Sequence, residues 1–168
     1  MSLLFEAVKN NDLKALKRAL KESCSPDDLA GALRNASELG RIKLVRYLLK
    51  AGAHDDWAIV AAASFASDVV VRLLYQNGGG NLNAALIGAA AHGQVKNVLF
   101  LLETPADSLN EALADAALRG YLETVRVLLN KGADPFAPVY GGQTAVDLAL
   151  KRGHRKIADL ILSRARKN

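Results

Sequence analysis

Residues 111–134, EALADAALRGYLETVRVLLNKGAD, contain two short amphipathic segments separated by one glycine. Leu113, Ala116 and Ala117 lie at positions i, i+3 and i+4, a spacing that places them on one face of a helix. Gly120 follows, and glycine readily adopts the positive φ that ends a helix. A wider apolar stripe runs along the next segment at Leu122, Val125, Leu128 and Leu129. The stretch therefore predicts a helix, a tight turn and a second, antiparallel helix.

The same pattern occurs six times along the chain. An equivalent alanine recurs at Ala7, Ala36, Ala62, Ala89, Ala116 and Ala149. Each alanine is followed four positions later by a turn residue: Asn11, Gly40, Ala66, Gly93, Gly120 and Gly153. Successive turn residues are 29, 26, 27, 27 and 33 residues apart, a period that indicates stacked units.

We therefore predict an all-α helical solenoid of stacked helix-turn-helix repeats that forms one domain over residues 1–168. Its six units span residues 2–24, 25–54, 55–80, 81–106, 107–134 and 135–168. Two serines are expected to start helices. Ser25 precedes Pro26, as an N-cap precedes a first-turn proline. Ser108 stands three residues before Glu111, which is the spacing of a capping box.

Composition narrows the class of protein. The apolar fraction is 51% but the aromatic fraction is only 5%, so the core must consist of Ala, Leu and Val, and such small residues let helices approach closely. Cys24 is the only cysteine, which favours a reducing compartment because no internal disulfide can form. No apolar run reaches the roughly 18 residues of a membrane span, and the opening residues MSLLFEAVKN lack the pattern of a secretion signal. We expect a cytoplasmic protein that does not cross a membrane.

The stretch of residues 132–162, GADPFAPVYGGQTAVDLALKRGHRKIADLIL, resembles an ankyrin repeat. The likeness rests on the GAD turn, the Gly-x-Thr at 142–144, the Leu-Ala pair at 148–149 and the Gly-His pair at 153–154. The resemblance covers the chain as six units and is most complete in the second, fifth and sixth. It implies an ankyrin-like helical stack and a role in binding proteins. It also implies one β-hairpin finger near residues 133–144, since the other four junctions are too short for a finger.

In ankyrin-like stacks, the two residues before each turn face a concave groove. Here these positions include Leu39, Phe65 and Leu118, and apolar residues flanked by charged ones indicate a protein contact surface. The alternative is that the shortened junctions let a neighbouring unit cover them. Phe136 and Tyr140 add aromatic anchors in the finger. The predicted partner-binding residues are Arg34, Glu38, Leu39, Phe65, His92, Leu118, Arg119, Phe136, Tyr140, Lys151 and Arg152.

The net charge of +5 is concentrated at the C-terminal end. Residues 151–168 contain seven Lys or Arg against one Asp, so they carry +6 while the rest of the chain carries −1. This pattern favours, as an alternative function, the binding of nucleic acid or an acidic surface. The residues concerned are Lys151, Arg152, Arg155, Lys156, Arg164 and Arg166. A solvated outer face on a terminal repeat explains the same charges, and we favour a protein partner over nucleic acid.

The sequence contains no recognisable set of catalytic residues. His54, His92 and His154 fall in different units, with no cysteine or carboxylate at metal-ligand spacing. Cys24 has no local base that would make it a nucleophile. We predict a monomeric, non-catalytic protein–protein interaction adaptor that uses no cofactor and no metal.

Overall fold

The computed structural model describes residues 3–22 and 24–165. Within these ranges the chain forms twelve α-helices and no β-strand, which confirms the all-α prediction. None of these helices is both long and apolar enough to span a bilayer. In chain order the helices are α1 Leu3–Lys9, α2 Leu13–Ala19, α3 Pro26–Glu38, α4 Ile42–Lys50, α5 Ala58–Phe65, α6 Asp68–Gln76, α7 Leu82–Ala91, α8 Val95–Leu101, α9 Leu109–Arg119, α10 Leu122–Asn130, α11 Ala145–Lys151 and α12 Arg155–Ala165.

The chain divides into two compact units, residues 1–85 and 86–168, and the boundary falls inside α7. In the first unit α1, α3 and α5 form one row, and α2, α4 and α6 form a second row. In the second unit α9 packs on α11, while α8, α10 and α12 form the second row. Each of α1, α3, α5, α9 and α11 also packs on the helix that follows it. Each unit is therefore a stack of helix pairs, the repeat architecture that the periodicity predicts.

Buried alanines bring the first-row helices together. The six equivalent alanines are at most 2% exposed, and their small side chains let neighbouring helices approach closely. Two apolar columns of the second-row helices are buried as well. The first contains Leu16, Val45, Val71, Val98, Val125 and Ala158, and the second contains Ala19, Leu48, Leu74, Leu101, Leu128 and Ile161. Burying one Leu or Val contributes about 1.5–3 kcal/mol, a gain that a single helix pair obtains only when another pair covers its stripe.

The turns between paired helices follow the prediction in all but one repeat. Gly120 ends α9 with φ +87°, and a β-carbon added to it would lie 2.7 Å from Cε1 of His154. Glycine therefore supplies the positive φ and leaves room for the imidazole ring. Asn11 also has a positive φ, 55°. Ala66 is the exception, with φ −111° and an extended backbone, because a β-carbon disfavours the left-handed region.

Two helices begin with complete capping boxes. The Ser25 hydroxyl accepts the backbone N–H of Asp28, and the Asp28 carboxylate accepts the backbone N–H of Ser25, as predicted for the start of α3. The Ser25 hydroxyl also donates to this carboxylate and lowers its pKa. Thr144 and Asp147 repeat the arrangement at α11. The capping box predicted at Ser108 is wrong, because Ser108 has ψ 52° instead of an extended backbone and its side chain makes no cap hydrogen bond.

Residues 133–144 do not form the predicted β-hairpin finger. The segment contains no strand; the Val139 N–H donates to the Gln143 carbonyl (2.9 Å) around a single 3-10 turn at Tyr140–Gly142. Pro135 and Pro138 lie in this segment and lack the N–H groups that a ladder of strand hydrogen bonds requires. The expectation of a β-hairpin is therefore wrong, and we refer to residues 133–144 as the α10–α11 loop.

Candidate protein-binding surfaces

An open groove lies between α1 and α3 in the first unit. It has a volume of about 300 Å³ and is lined by Phe5, Val8, Lys9, Asn35, Glu38 and Leu39. Leu39 is 47% exposed and Phe5 is 38% exposed. Two of the predicted partner-binding residues, Glu38 and Leu39, thus line a surface that is largely apolar but contains one acidic and one basic side chain. We call it the α1–α3 groove.

Phe65 lies on the turn next to that of Leu39. A β-carbon built on Gly40 would lie 3.8 Å from the β-carbon of Ala66, so the turns after α3 and α5 are adjacent. The residues that precede them, Leu39 and Phe65, are both exposed, Phe65 by 56%. A neighbouring repeat therefore does not cover Leu39 or Phe65, and that alternative does not hold for these two residues. Leu118 is half-buried, so there it holds in part.

Arg34 is engaged inside the first unit. Its guanidinium makes an ion pair with Asp55 (Nη2 to Oδ2 2.7 Å) and a second hydrogen bond from Nε (2.9 Å). The Asp55 side chain is only 2% exposed and also accepts the backbone N–H of Trp57 before α5. A buried carboxylate needs such partners because losing them leaves a desolvated charge. Arg34, predicted to bind a partner, therefore has a structural role between α3 and the start of α5.

The second unit places three cations at the ends of neighbouring helices. Arg119 ends α9, and Lys151 and Arg152 lie at the end of α11. The turn after α9 and the turn after α11 are adjacent, because Gly120 lies against the His154 ring. All three cations are exposed, and none makes an ion pair with a described residue. They form what we call the basic turn cluster.

His92 differs from the basic turn cluster because part of its imidazole is already used. It directly follows α7 and is half-buried, and Nδ1 lies 2.9 Å from the carbonyl of Gly88 in that helix. This ring nitrogen is held by the backbone of α7. His92 therefore offers a partner less of its polar surface than the sequence prediction assumed.

The α10–α11 loop is held against α9 by two hydrogen bonds. The Asp134 N–H donates to the Asn110 side chain (2.8 Å), and the Tyr140 hydroxyl donates to the Asp115 carboxylate (2.9 Å). Burial, the hydrogen bond to Asp115 and the nearby carboxylate charges together raise the pKa of Tyr140. Phe136 and the Tyr140 ring stay exposed. The loop is therefore positioned by α9 and presents two aromatic side chains on its surface.

The structure leaves only some of the predicted basic residues near the C-terminal end exposed. Lys151, Arg152, Arg155 and Lys156 are exposed. Arg164 instead donates a hydrogen bond to the side chain of Asn130 and is half-buried. Arg166 lies outside the described residues. The alternative of nucleic-acid binding thus retains four of its six residues.

Sequence reasoning missed Phe5, Asp55 and Asp115. Phe5 lies four residues before Lys9, so extending the i, i+4 face of α1 would have found it. Asp55 and Asp115 are 21 and 25 residues from their partners Arg34 and Tyr140, and no spacing rule predicts such pairs. Among the described residues, no three His, Cys, Asp or Glu side chains come close enough to hold a metal ion.

Comparison with known proteins assigns the family. A search of curated proteins found no match. The model of a family described as ankyrin repeats (3 copies) matches residues 86–168, the same residues as the second unit. The first unit repeats the same buried alanine and leucine positions. The match, together with this architecture of paired helices, shows that the chain belongs to the ankyrin repeat family.

Proposed function

We propose that the chain is a non-catalytic adaptor that binds a partner protein through the α1–α3 groove, Phe65 and the α10–α11 loop. Ankyrin repeats in general are protein–protein interaction modules, and the chain belongs to this family. We further propose that it acts as a monomer in the cytoplasm. The observation that carries the proposal is the exposure of Leu39 and Phe65 on adjacent turns.

Exposed apolar side chains of this size are unfavourable in water unless something covers them. Burying a Leu or Phe side chain contributes about 1.5–3 kcal/mol, and side chains that fill a pocket at the centre of an interface carry most of its binding energy. The α1–α3 groove offers such a pocket beside Leu39. Lys9 and Glu38 within the same lining can orient a partner by charge.

The α10–α11 loop supports the proposal in the second unit. Its contacts with Asn110 and Asp115 fix the loop before a partner arrives, which lowers the entropy lost on binding. Aromatic side chains are enriched at interfaces, and this loop presents Phe136 and Tyr140. We propose that both contact the partner.

Site-specific photo-crosslinking in cells that express the protein tests the assignment directly. A photoreactive phenylalanine analogue placed at Leu39 or Phe65 is expected to form an adduct with the same partner protein. Val69 on α6 and Leu99 on α8 provide matched controls, since they are 45% and 43% exposed on second-row helices. Adducts at Val69 and Leu99 but not at Leu39 and Phe65 would move the binding surface to the second row and refute the proposal.

Alanine substitution then measures how much the contact contributes. Phe65→Ala is expected to weaken binding of the cross-linked partner at least tenfold. Its effect on stability should stay within about 0.5 kcal/mol, as for other surface substitutions. Val69→Ala should change neither quantity. If Phe65→Ala leaves the affinity unchanged, Phe65 is not part of the binding surface.

A further inference from the structure

We infer that the basic turn cluster, Arg119, Lys151 and Arg152, binds an acidic segment of the partner protein, in a peptide oriented along α9 and α11. This inference rests on the proposed function, because it specifies the chemistry of a protein partner. It concerns the second unit alone, whereas the apolar contacts proposed above centre on the first.

The three side chains of the cluster are exposed and close to one another in the fold, and they make no ion pair with a described residue. The residues at the ends of α9 and α11 are neighbours because these helices pack together and their turns meet at Gly120 and the His154 ring. Exposed basic side chains often pair with carboxylates of their own chain, as Arg72 pairs with Asp68 on α6. Arg119, Lys151 and Arg152 have no such partner among the described residues. Their charge is therefore available to a carboxylate from outside.

The opposite ends of the same two helices are acidic. Glu111 lies in the first turn of α9, Asp115 follows one turn later, and Asp147 lies in the first turn of α11. Asp147 is exposed and accepts hydrogen bonds from Thr144, which lower its pKa and favour the ionised form. The α9–α11 pair thus changes from negative at its start to positive at its end.

This change of sign favours a peptide over a nucleic acid. A nucleic acid carries negative charge along its whole length, about one charge per 1.7 Å of duplex axis. A strand lying along α9 and α11 would meet Glu111 and Asp147 before it reached Arg119. A peptide can place Asp or Glu at the basic turn cluster and neutral or basic residues beside the acidic ends. Such complementarity selects both the partner and its direction.

Charge at helix ends also acts within the fold, since acidic residues near the start of a helix and basic residues near its end stabilise it. This effect accounts for the sign of the charge at each helix end, but it does not predict that these charges bind a partner. A binding measurement therefore separates the two roles. If the cluster binds peptides, its charge reversal must lower the affinity for the peptide by a larger factor than it lowers the folded fraction of the protein.

The test is selection of a random 16-residue peptide library displayed on phage against the full chain, followed by fluorescence anisotropy with the most enriched peptide. We expect enriched peptides to carry a run of Asp or Glu at one end. Reversing the charges of the cluster (Arg119→Glu, Lys151→Glu, Arg152→Glu) should weaken binding of the most enriched peptide at least tenfold at 50 mM salt. The loss should shrink at 300 mM salt, where the screening length falls below about 10 Å.

The control variant carries the same change in net charge on or directly after second-row helices, away from the basic turn cluster: Lys43→Glu, Lys96→Glu and Lys131→Glu. These lysines are exposed and make no ion pair with a described residue, and the control variant should bind the peptide within threefold of the unmodified chain. Equal losses in both variants would reduce the effect to net charge and overturn the inference. Circular dichroism on all variants establishes the folded fraction.

Three further outcomes decide between this inference and its alternatives. A library that yields no binder, or only binders without acidic residues, overturns it. If a twenty-nucleotide oligothymidylate binds more tightly than the peptide, and reversal of the cluster abolishes its binding, the ligand of the cluster is a nucleic acid and not a peptide. If a Leu39→Ser, Phe65→Ser variant loses the peptide while the cluster reversal keeps it, the proposed function stands and this inference fails.

Discussion

The two units have cores of the same kind but present different surfaces. Each unit buries the same alanine position in its first row and the same two apolar columns in its second row. Outside the core, the first unit has short junctions and an apolar groove, whereas the second has the α10–α11 loop and the basic turn cluster. The comparison teaches that the buried columns determine the fold, while exposed positions of the same repeat are free to serve different contacts.

The family match is confined to one of the two units. The ankyrin repeat model matches residues 86–168 only, although the first unit buries equivalent residues equally well. The second unit contains the most complete motif run, with the GAD turn, the Thr144 capping box and the Gly-His pair. Apolar residues in a helical pattern are common to many helix pairs. The turn and capping motifs of the second unit are therefore more specific than the apolar pattern that both units have.

The largest expected effect tests whether the two cores are equivalent. Leu48 and Leu128 occupy the same column, one in each unit, and both are fully buried. Leu48→Ala and Leu128→Ala should each lower the free energy of unfolding by about 3 kcal/mol, because each leaves a cavity in a packed column. Urea unfolding followed by circular dichroism measures both. A difference greater than about 1.5 kcal/mol would show that the two cores are not interchangeable.

The core and the turns could be predicted because they depend on short-range periodicity. Helical spacing places Leu113, Ala116 and Ala117 on one face, and all three are buried. Turn residues follow these faces at a fixed distance, and Gly120 has the positive φ that its position requires. The exception, Ala66, was assigned by alignment with the other repeats. Alanine has a β-carbon, which disfavours positive φ, so Ala66 does not adopt the turn conformation of the equivalent glycines.

The surfaces could be predicted only in part because they depend on contacts between repeats. Leu39 and Phe65 were identified from their repeat positions, and the structure leaves both exposed. Arg34 is also among the predicted partner-binding residues, but it forms an ion pair with Asp55 of the next repeat. The position of a residue within a repeat predicts the direction of its side chain. It does not predict what the neighbouring repeat places opposite.

The next prediction compares turn glycines of the two units. Gly120→Ala should destabilise the protein by about 2–3 kcal/mol, because alanine is strained at positive φ and its β-carbon overlaps the His154 ring. Gly40→Ala should cost only about 1 kcal/mol, since its β-carbon would meet Ala66 at an ordinary 3.8 Å. Urea unfolding midpoints give both values. Equal costs would mean that the His154 ring moves aside freely.

The smallest expected effect concerns the contact of the α10–α11 loop with α9. Tyr140→Phe removes the hydrogen bond to Asp115 and should lower the free energy of unfolding by about 0.5–1 kcal/mol near pH 7. The fold raises the pKa of Tyr140, so its contribution is fully present below the pKa of an unfolded tyrosine, about 10. Above that pH the unfolded chain loses the phenolic proton first, and the advantage over Tyr140→Phe should decline.

Unfolding of the two proteins at pH 7, 9 and 10.5 measures this decline. The other three tyrosines are present in both proteins, so their contributions cancel in the difference. The first unit provides the control, because Tyr47 on α4 makes no hydroxyl hydrogen bond among the described contacts, so Tyr47→Phe should lower the free energy of unfolding at pH 7 by less than Tyr140→Phe does. An advantage of Tyr140 that stays constant to pH 10.5 would mean that neither burial nor Asp115 disfavours the phenolate in solution, and the hydrogen bond from Asp134 to Asn110 would then hold the loop on α9 without Tyr140.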